Sequence, residues 1–251
     1  MREFCANTLP FHGFPLETFL GELAGRGISA IELSSEHFDG LDAPAAERLQ
    51  EQTGTRFKSI LSPADIAAPD GLADQRTVLD IAEKLSIPMV CTASGGAEEA
   101  TDAEIDTIIE RLSVLAREGA DRGITVALYT HQRTMAYNLA RTERVFEAAP
   151  DALRFYYSPY HFQQAGDDPV MALECCTERL CNVYFNCGID PVTSQAPIWA
   201  PEMDYPAICA ALEETGYCEE MMLLYLGLDV EAPMPIVEGI GKARSFLEAC
   251  F

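Results

Sequence analysis

The sequence predicts an α/β protein, a closed (β/α)8 or TIM barrel formed by one domain over residues 1–251. Two observations predict it. Short apolar runs alternate with amphipathic stretches eight times along the chain, which is the beat of strand–helix units. No Gly-x-Gly-x-x-Gly turn follows the first apolar run, so the rival doubly wound open sheet lacks its phosphate-binding signature.

The elements follow in order. EFCAN (3–7) is read as the first strand. PLETFLGELAGRG (15–27) follows it as one helix, with Leu16, Phe19, Leu20 and Leu23 on one face. SAIELSS (29–35) is the second strand, and APAAERLQEQTG (43–54) a helix that stops at Gly54. FKSILS (57–62) leads to LADQRTVLDIAEKLS, and PMVCTAS (88–94) to a long helix from about residue 101. Thr101 and Glu104 in TDAE make a capping box at its start. ITVALYTH (124–131) precedes NLARTERVFEAA. LRFYYS (153–158) precedes DPVMALECCTERL, where Asp168 is the N-cap and Pro169 the first helical residue. NVYFN (182–186) precedes DYPAICAALEETG, and EMMLLYLG (220–227) precedes a terminal helix over about 236–249.

Composition bounds the function. The net charge is −23, so nucleic acid and anionic membrane surfaces are poor partners. Lysine occurs only at 58, 84 and 242. An acidic, lysine-poor surface suits high salt and suits ordinary solubility equally. No apolar run is long enough to span a bilayer, and the start MREFCANTLPF lacks a signal-peptide core, so a cytoplasmic location is expected. The nine cysteines include no CxxC pair and are expected to be reduced and mostly buried.

In such barrels chemistry sits at the C-terminal ends of the strands. Those ends carry Asn7, Glu32, Ser34, Ser62, Thr92, Ser94, Tyr129, His131, Ser158, His161, Tyr184, Asn186 and Tyr225. Alternation along a strand puts Tyr129 with His131, and Tyr184 with Asn186. Hydroxyls, amides and rings together suit a polyhydroxylated small molecule. His12 and His37 fall in loops as rim contacts or plain exposed residues. Trp199 belongs to a long segment, 187–203, that is either a lid or pinned to the barrel.

Five motifs in register resemble one family, the xylose isomerase-like barrels of sugar phosphate isomerases, epimerases and inosose dehydratases. RGISAIELSSEHF is similar to its "IEL" second strand, VALYTH to "LALENH", and SPYHFQQAGDDP to "DxxHxxxxGxDP". NVYFN is similar to "HVHLKD", and MDYPAICAALEETGYCEEMMLLYL to "IDYxxIxxALxxxGYxGxxxIE". The resemblance implies one divalent metal, held by Glu, Asp, His and Glu from strands five to eight. This chain departs at each of these positions. Tyr129, Ser158 and Tyr184 replace the first three, and Tyr225 replaces the fourth, or Leu224 if the register slips by one. Neutral phenols and an alcohol are poor ligands for a hard dication, so no metal cofactor is expected.

The resemblance also implies that His161 is a retained substrate contact; a purely structural hydrogen bond is its other reading. His131 is a candidate general base or a structural residue, and Glu32 a polar contact or a solvated acid. A metal held instead by His131, His161 and Cys187 is a further alternative. Three functions remain open. The first is a metal-free binding protein for a sugar-like or cyclitol-like ligand, working as a homodimer or beside an active homologue. The second is a metal-independent isomerase, epimerase or dehydratase that uses His161 and His131. The third is a structural role with no ligand.

Overall fold

The computed structural model describes residues 2–187, 197–200, 202–226 and 231–251. Eight parallel strands follow one another in sequence order around a closed barrel, and helices lie between the strands. The predicted (β/α)8 architecture is therefore observed. Two compact units share the chain, residues 1–58 with 183–251 and residues 59–182. Among the described residues, no helix is long and apolar enough to cross a membrane.

In the first unit, β1 (Phe4–Asn7) lies between β2 (Ala30–Leu33) and β8 (Met221–Leu224), and β8 also pairs with β7 (Leu180–Asn186). The register aligns Cys5 with Ala30 and Met222, and Tyr184 with Met222. Residues in register on parallel strands point to one side. Asn7, Glu32, Tyr184, Asn186 and Leu224 therefore share a face. Phe185, on the other face, packs its ring 6.0 Å from Tyr205 of α9 (Tyr205–Glu214), so the first set faces inward.

The expected first helix is broken. Leu16–Thr18 form a 3-10 turn, and α1 (Leu20–Gly25) starts only after Phe19, whose φ of −136° leaves the helical region. Stacking is the cause: Phe19 lies on Phe11 with ring centroids 3.9 Å apart. The Thr18 hydroxyl also tightens the turn by donating to the Pro15 carbonyl at 2.6 Å. The short α2 (Ser35–Phe38) follows β2. In α3 (Ala43–Thr53), Asp42 caps the start and Gly54 ends it at φ 70°. At the opposite ends of the strands Lys58, on β3 (Arg56–Leu61), donates to Glu220 at 2.6 Å with both side chains buried.

In the second unit, the end of β3 pairs with β4 (Met89–Ala93), β4 with β5 (Thr125–Tyr129), and β5 with β6 (Leu153–Tyr157). Thr92 accepts a hydrogen bond from Gln75 of α4 (Gly71–Lys84) at 2.6 Å, and Phe155 packs on Phe146 of α6 (Leu139–Ala148). That face meets the helices, so Tyr129 and Tyr156, in register on the other face, point inward. The capping box of α5 (Asp102–Asp121) is present as read: Thr101 N–H donates to Glu104 at 2.8 Å. Asp168 caps α8 (Pro169–Cys176), accepting from Val170 N at 2.8 Å. Between β6 and α8 lies a helix that was not anticipated, α7 (Pro159–Ala165).

Candidate functional site

The second unit assembles a cluster at the C-terminal ends of β5 and β6. Tyr129 is the last residue of β5, and its phenol turns inward with Tyr156, ring centroids 6.0 Å apart. Ser158 follows the next strand directly and occupies the N-cap position of α7, with extended backbone at φ −128°. Pro159 sets the first helical residue and Gly166 ends the helix in the left-handed region at φ 86°. This short helix carries His161 back against β5. The Tyr129 hydroxyl lies 2.6 Å from His161 Nε2. The His131 ring centroid lies 4.3 Å from that of His161, and Tyr160 packs edge-on against His161 at 5.3 Å.

His161 is 2% exposed. Its Nδ1 is buried and has no hydrogen-bond partner among the described residues. Burial, and then the neighbouring His131, hold this imidazole well below its ordinary pKa. Burial also lowers His131, against the Gln132 carbonyl, which favours its charged form. Both rings are therefore neutral near pH 7. Nδ1 of His131 lies 2.5 Å from the Gln132 carbonyl oxygen. A carbonyl only accepts, so Nδ1 carries the proton, and in the neutral ring Nε2 keeps its lone pair.

The first unit places its predicted residues in two groups. Asn7 donates to Glu32 at 2.6 Å and accepts from Leu9 N–H at 2.6 Å; Glu32 is fully buried. These two share the inward face with Tyr184 and Asn186. Tyr225 does not. Its ring sits where a Cβ on Gly239 of α10 (Met234–Glu248) would stand, on the helix side of the sheet. The inward residue at the end of β8 is Leu224, the one-residue alternative in the sequence reading. Burial pushes the Tyr225 phenol up. Trp199 stacks on Tyr225 at 6.5 Å, and the Lys242 ammonium lies 3.7 Å from the Trp199 ring centre. Trp199 is thus tied to α10. Of the segment read as a lid, residues 188–196 and 201 lie outside the described residues.

Several other polar residues of the sequence reading have structural roles. Thr92 and Ser62 both bond to Gln75, and Ser94 accepts from Ala136 N–H at 2.8 Å. His37 is buried between the Ser34 hydroxyl and the Phe14 carbonyl. His12 is exposed and pairs with Glu36. Cys187 donates its thiol to the Phe185 and Leu224 carbonyls. The sequence reading missed Tyr156 and Tyr160. Tyr156 was recoverable, because stepping back two residues from Ser158 reaches the same face. Among the described residues, no group of three or more His, Cys, Asp or Glu side chains is placed to hold a metal ion.

The family model described as "Xylose isomerase-like TIM barrel" matches residues 20–250. Curated protein sequences give no significant match. A sugar phosphate isomerase/epimerase from Parabacteroides distasonis ATCC 8503 superposes with a TM-score of 0.79 at 13% identity, covering 99% of this chain and 94% of that one. D-psicose 3-epimerase from Clostridium cellulolyticum H10, solved with D-tagatose, gives 0.80 at 10% identity over 99% of both chains. An IOLI protein with a bound zinc atom gives 0.81 at 12% identity, again over 99% of both. At these identities the likeness is one of fold.

Proposed function

The chain belongs to the xylose isomerase-like TIM barrel family, a family of sugar isomerases and epimerases, and on that premise we propose that it binds a small polyhydroxylated, sugar- or cyclitol-like molecule without the family's divalent metal. The observation that carries this reading is His161. A nearly fully buried imidazole has one nitrogen bonded to Tyr129 and the other without a partner among the described residues. Leaving such an atom unsatisfied costs about 1–3 kcal/mol, and a bound oxygen removes the cost.

The donor set does not fit a hard dication. At the positions that correspond to the family's ligands stand Tyr129, Ser158, Tyr184 and either Leu224 or Tyr225. None is anionic, and burial makes the Tyr225 phenol harder still to ionise. Coulomb compensation by carboxylates is what holds Mg²⁺ or Mn²⁺ in an oxygen site. The test is metal content by mass spectrometry, followed by titration with Mn²⁺ in a calorimeter. Stoichiometric tight binding, abolished by substitution at Tyr129 or Ser158, would overturn the metal-free part. Calorimetry with ketoses and inososes tests the ligand part, with loss of the heat in His161→Ala as the expected result.

A second reading has its own observation. The His131 ring, whose Nε2 keeps its lone pair, lies 4.3 Å from the His161 ring by centroid, which puts a base next to a hydrogen-bonding group. It would take a proton from the carbon beside a carbonyl while the electrons move onto the carbonyl oxygen, and return the proton to complete isomerisation or epimerisation. The depressed pKa of His131 makes it a weak base, which favours the binding reading. Exchange of substrate C–H protons with D₂O, lost in His131→Ala, would reverse that preference.

A further inference from the structure

We infer that Tyr129 is a positioning residue that holds His161 in its Nδ1–H tautomer, so that the site presents a hydrogen-bond donor on His161 beside the ring of His131. The tautomer rests on geometry alone, and a ligand at that donor rests on the binding reading above.

The tautomer follows from the short contact between the Tyr129 hydroxyl and His161 Nε2, 2.6 Å. Two neutral groups can share it in two ways. Either the phenol donates to an imidazole lone pair, or the imidazole N–H donates to the phenol oxygen. A phenol is the stronger acid of the two donors, and an imidazole nitrogen is the stronger base of the two acceptors. The first arrangement wins, and the proton of neutral His161 is then on Nδ1. That is the atom left without a partner among the described residues.

His131 has the opposite polarity. Its Nδ1–H is committed to the Gln132 carbonyl, so its Nε2 is an acceptor. The two ring centroids are 4.3 Å apart. A carbonyl, carboxylate or hydroxyl oxygen of a ligand can accept from His161 Nδ1–H.

The experiment is long-range ¹H–¹⁵N correlation on the ¹⁵N-histidine-labelled protein at pH 7, which distinguishes the two imidazole tautomers directly. Wild type is expected to show His161 as Nδ1–H and His131 as Nδ1–H, both neutral. In Tyr129→Phe, His161 is expected to become a mixture of tautomers or to move to Nε2–H. An Nε2–H or doubly protonated His161 in wild type overturns the inference without a variant. An unchanged pure Nδ1–H form in Tyr129→Phe removes the role given to Tyr129. Dihydroxyacetone, glycerate and glycerol are then added in turn and the His161 resonances followed, a shift with at least one of them being expected. No response to any counts against the binding reading itself, and the tautomer result stands or falls separately.

Discussion

The ring of Tyr225 fills the space in front of Gly239: a Cβ at that glycine would come within 2.3 Å of the phenol carbon Cζ. Gly239 lies within α10, where replacing glycine by alanine ordinarily gains about 1 kcal/mol. Here the sign reverses. Tyr225 cannot retreat, because Trp199 stacks on it and Lys242 lies over Trp199. Gly239→Ala is expected to cost about 1–3 kcal/mol of overpacking, measured by urea denaturation. Adding Tyr225→Leu should restore most of the loss. A stabilised Gly239→Ala would place the Tyr225 ring elsewhere.

Function and stability oppose each other at His161. Tyr129→Phe removes the hydroxyl and leaves a second buried nitrogen without its partner, an expected loss of about 1–3 kcal/mol. His161→Phe instead removes the unpartnered atom and keeps an aromatic ring among Tyr129, His131 and Tyr160, though it also takes the Nε2 partner from the Tyr129 hydroxyl. The two effects offset, so it is expected to hold the melting temperature while abolishing ligand binding. A large destabilisation by His161→Phe would mean that the imidazole is a structural hydrogen-bonding group, the other reading of this residue.

The barrel was legible because its punctuation is local. Thr101 with Glu104, Asp168 with Pro169, and Gly54 each mark a helix end through a bond or a backbone angle set within a few residues. The break at Phe19 was not legible, since it comes from stacking on Phe11, a contact that helical spacing does not encode. α7 was not legible although Pro159 and Gly166 bracket it, because its 7 residues are too few to show a helical repeat. Tyr225 shows the same limit at the site. After Glu220 the run MMLLYLG carries no alternating charged or amide side chain, so no period of two tells inward from outward residues. The partnership of Tyr129 with His161 joins residues on separate elements and needed coordinates.

Acid should weaken the fold in two stages. The pKa values of His37, His131 and His161 are all lowered, in each case chiefly by burial. A histidine lowered in the folded state leaves the unfolded chain to take the proton first. Stability is therefore full above about pH 6.5, the unfolded value, and falls as pH drops below it, by up to about 1.4 kcal/mol per pH unit for each group. Asp102, held low by Arg144, and Glu118, held low by Arg76, add their loss only below the ordinary carboxylate range. Melting temperatures from pH 8 to 4 should decline from near 6.5 and steepen near 4. His161→Phe should flatten the first stage. A melting temperature constant down to pH 5 would contradict the burial of these rings.

Lys58 and Glu220 form a buried ion pair near the N-terminal ends of β3 and β8. Nζ and Oε2 are 2.6 Å apart, with side-chain exposures of 7% and 10%. Arg56 also pairs with Glu220 from a half-exposed position. Removing one member of such a pair strands the other charge in low dielectric, at a cost of about 3–5 kcal/mol. The two single substitutions should differ. Lys58→Met leaves Glu220 with Arg56, whereas Glu220→Leu takes a carboxylate from both cations and leaves Arg56 with its longer contact to Glu3, so Glu220→Leu is expected to be the worse. The double substitution Lys58→Met with Glu220→Leu strands neither member and should recover most of the larger loss, because replacing a buried pair by apolar groups is often neutral. Denaturant midpoints for the four proteins give the coupling directly. If the two losses add, the pair is not coupled, and the side chains do not meet in the folded chain.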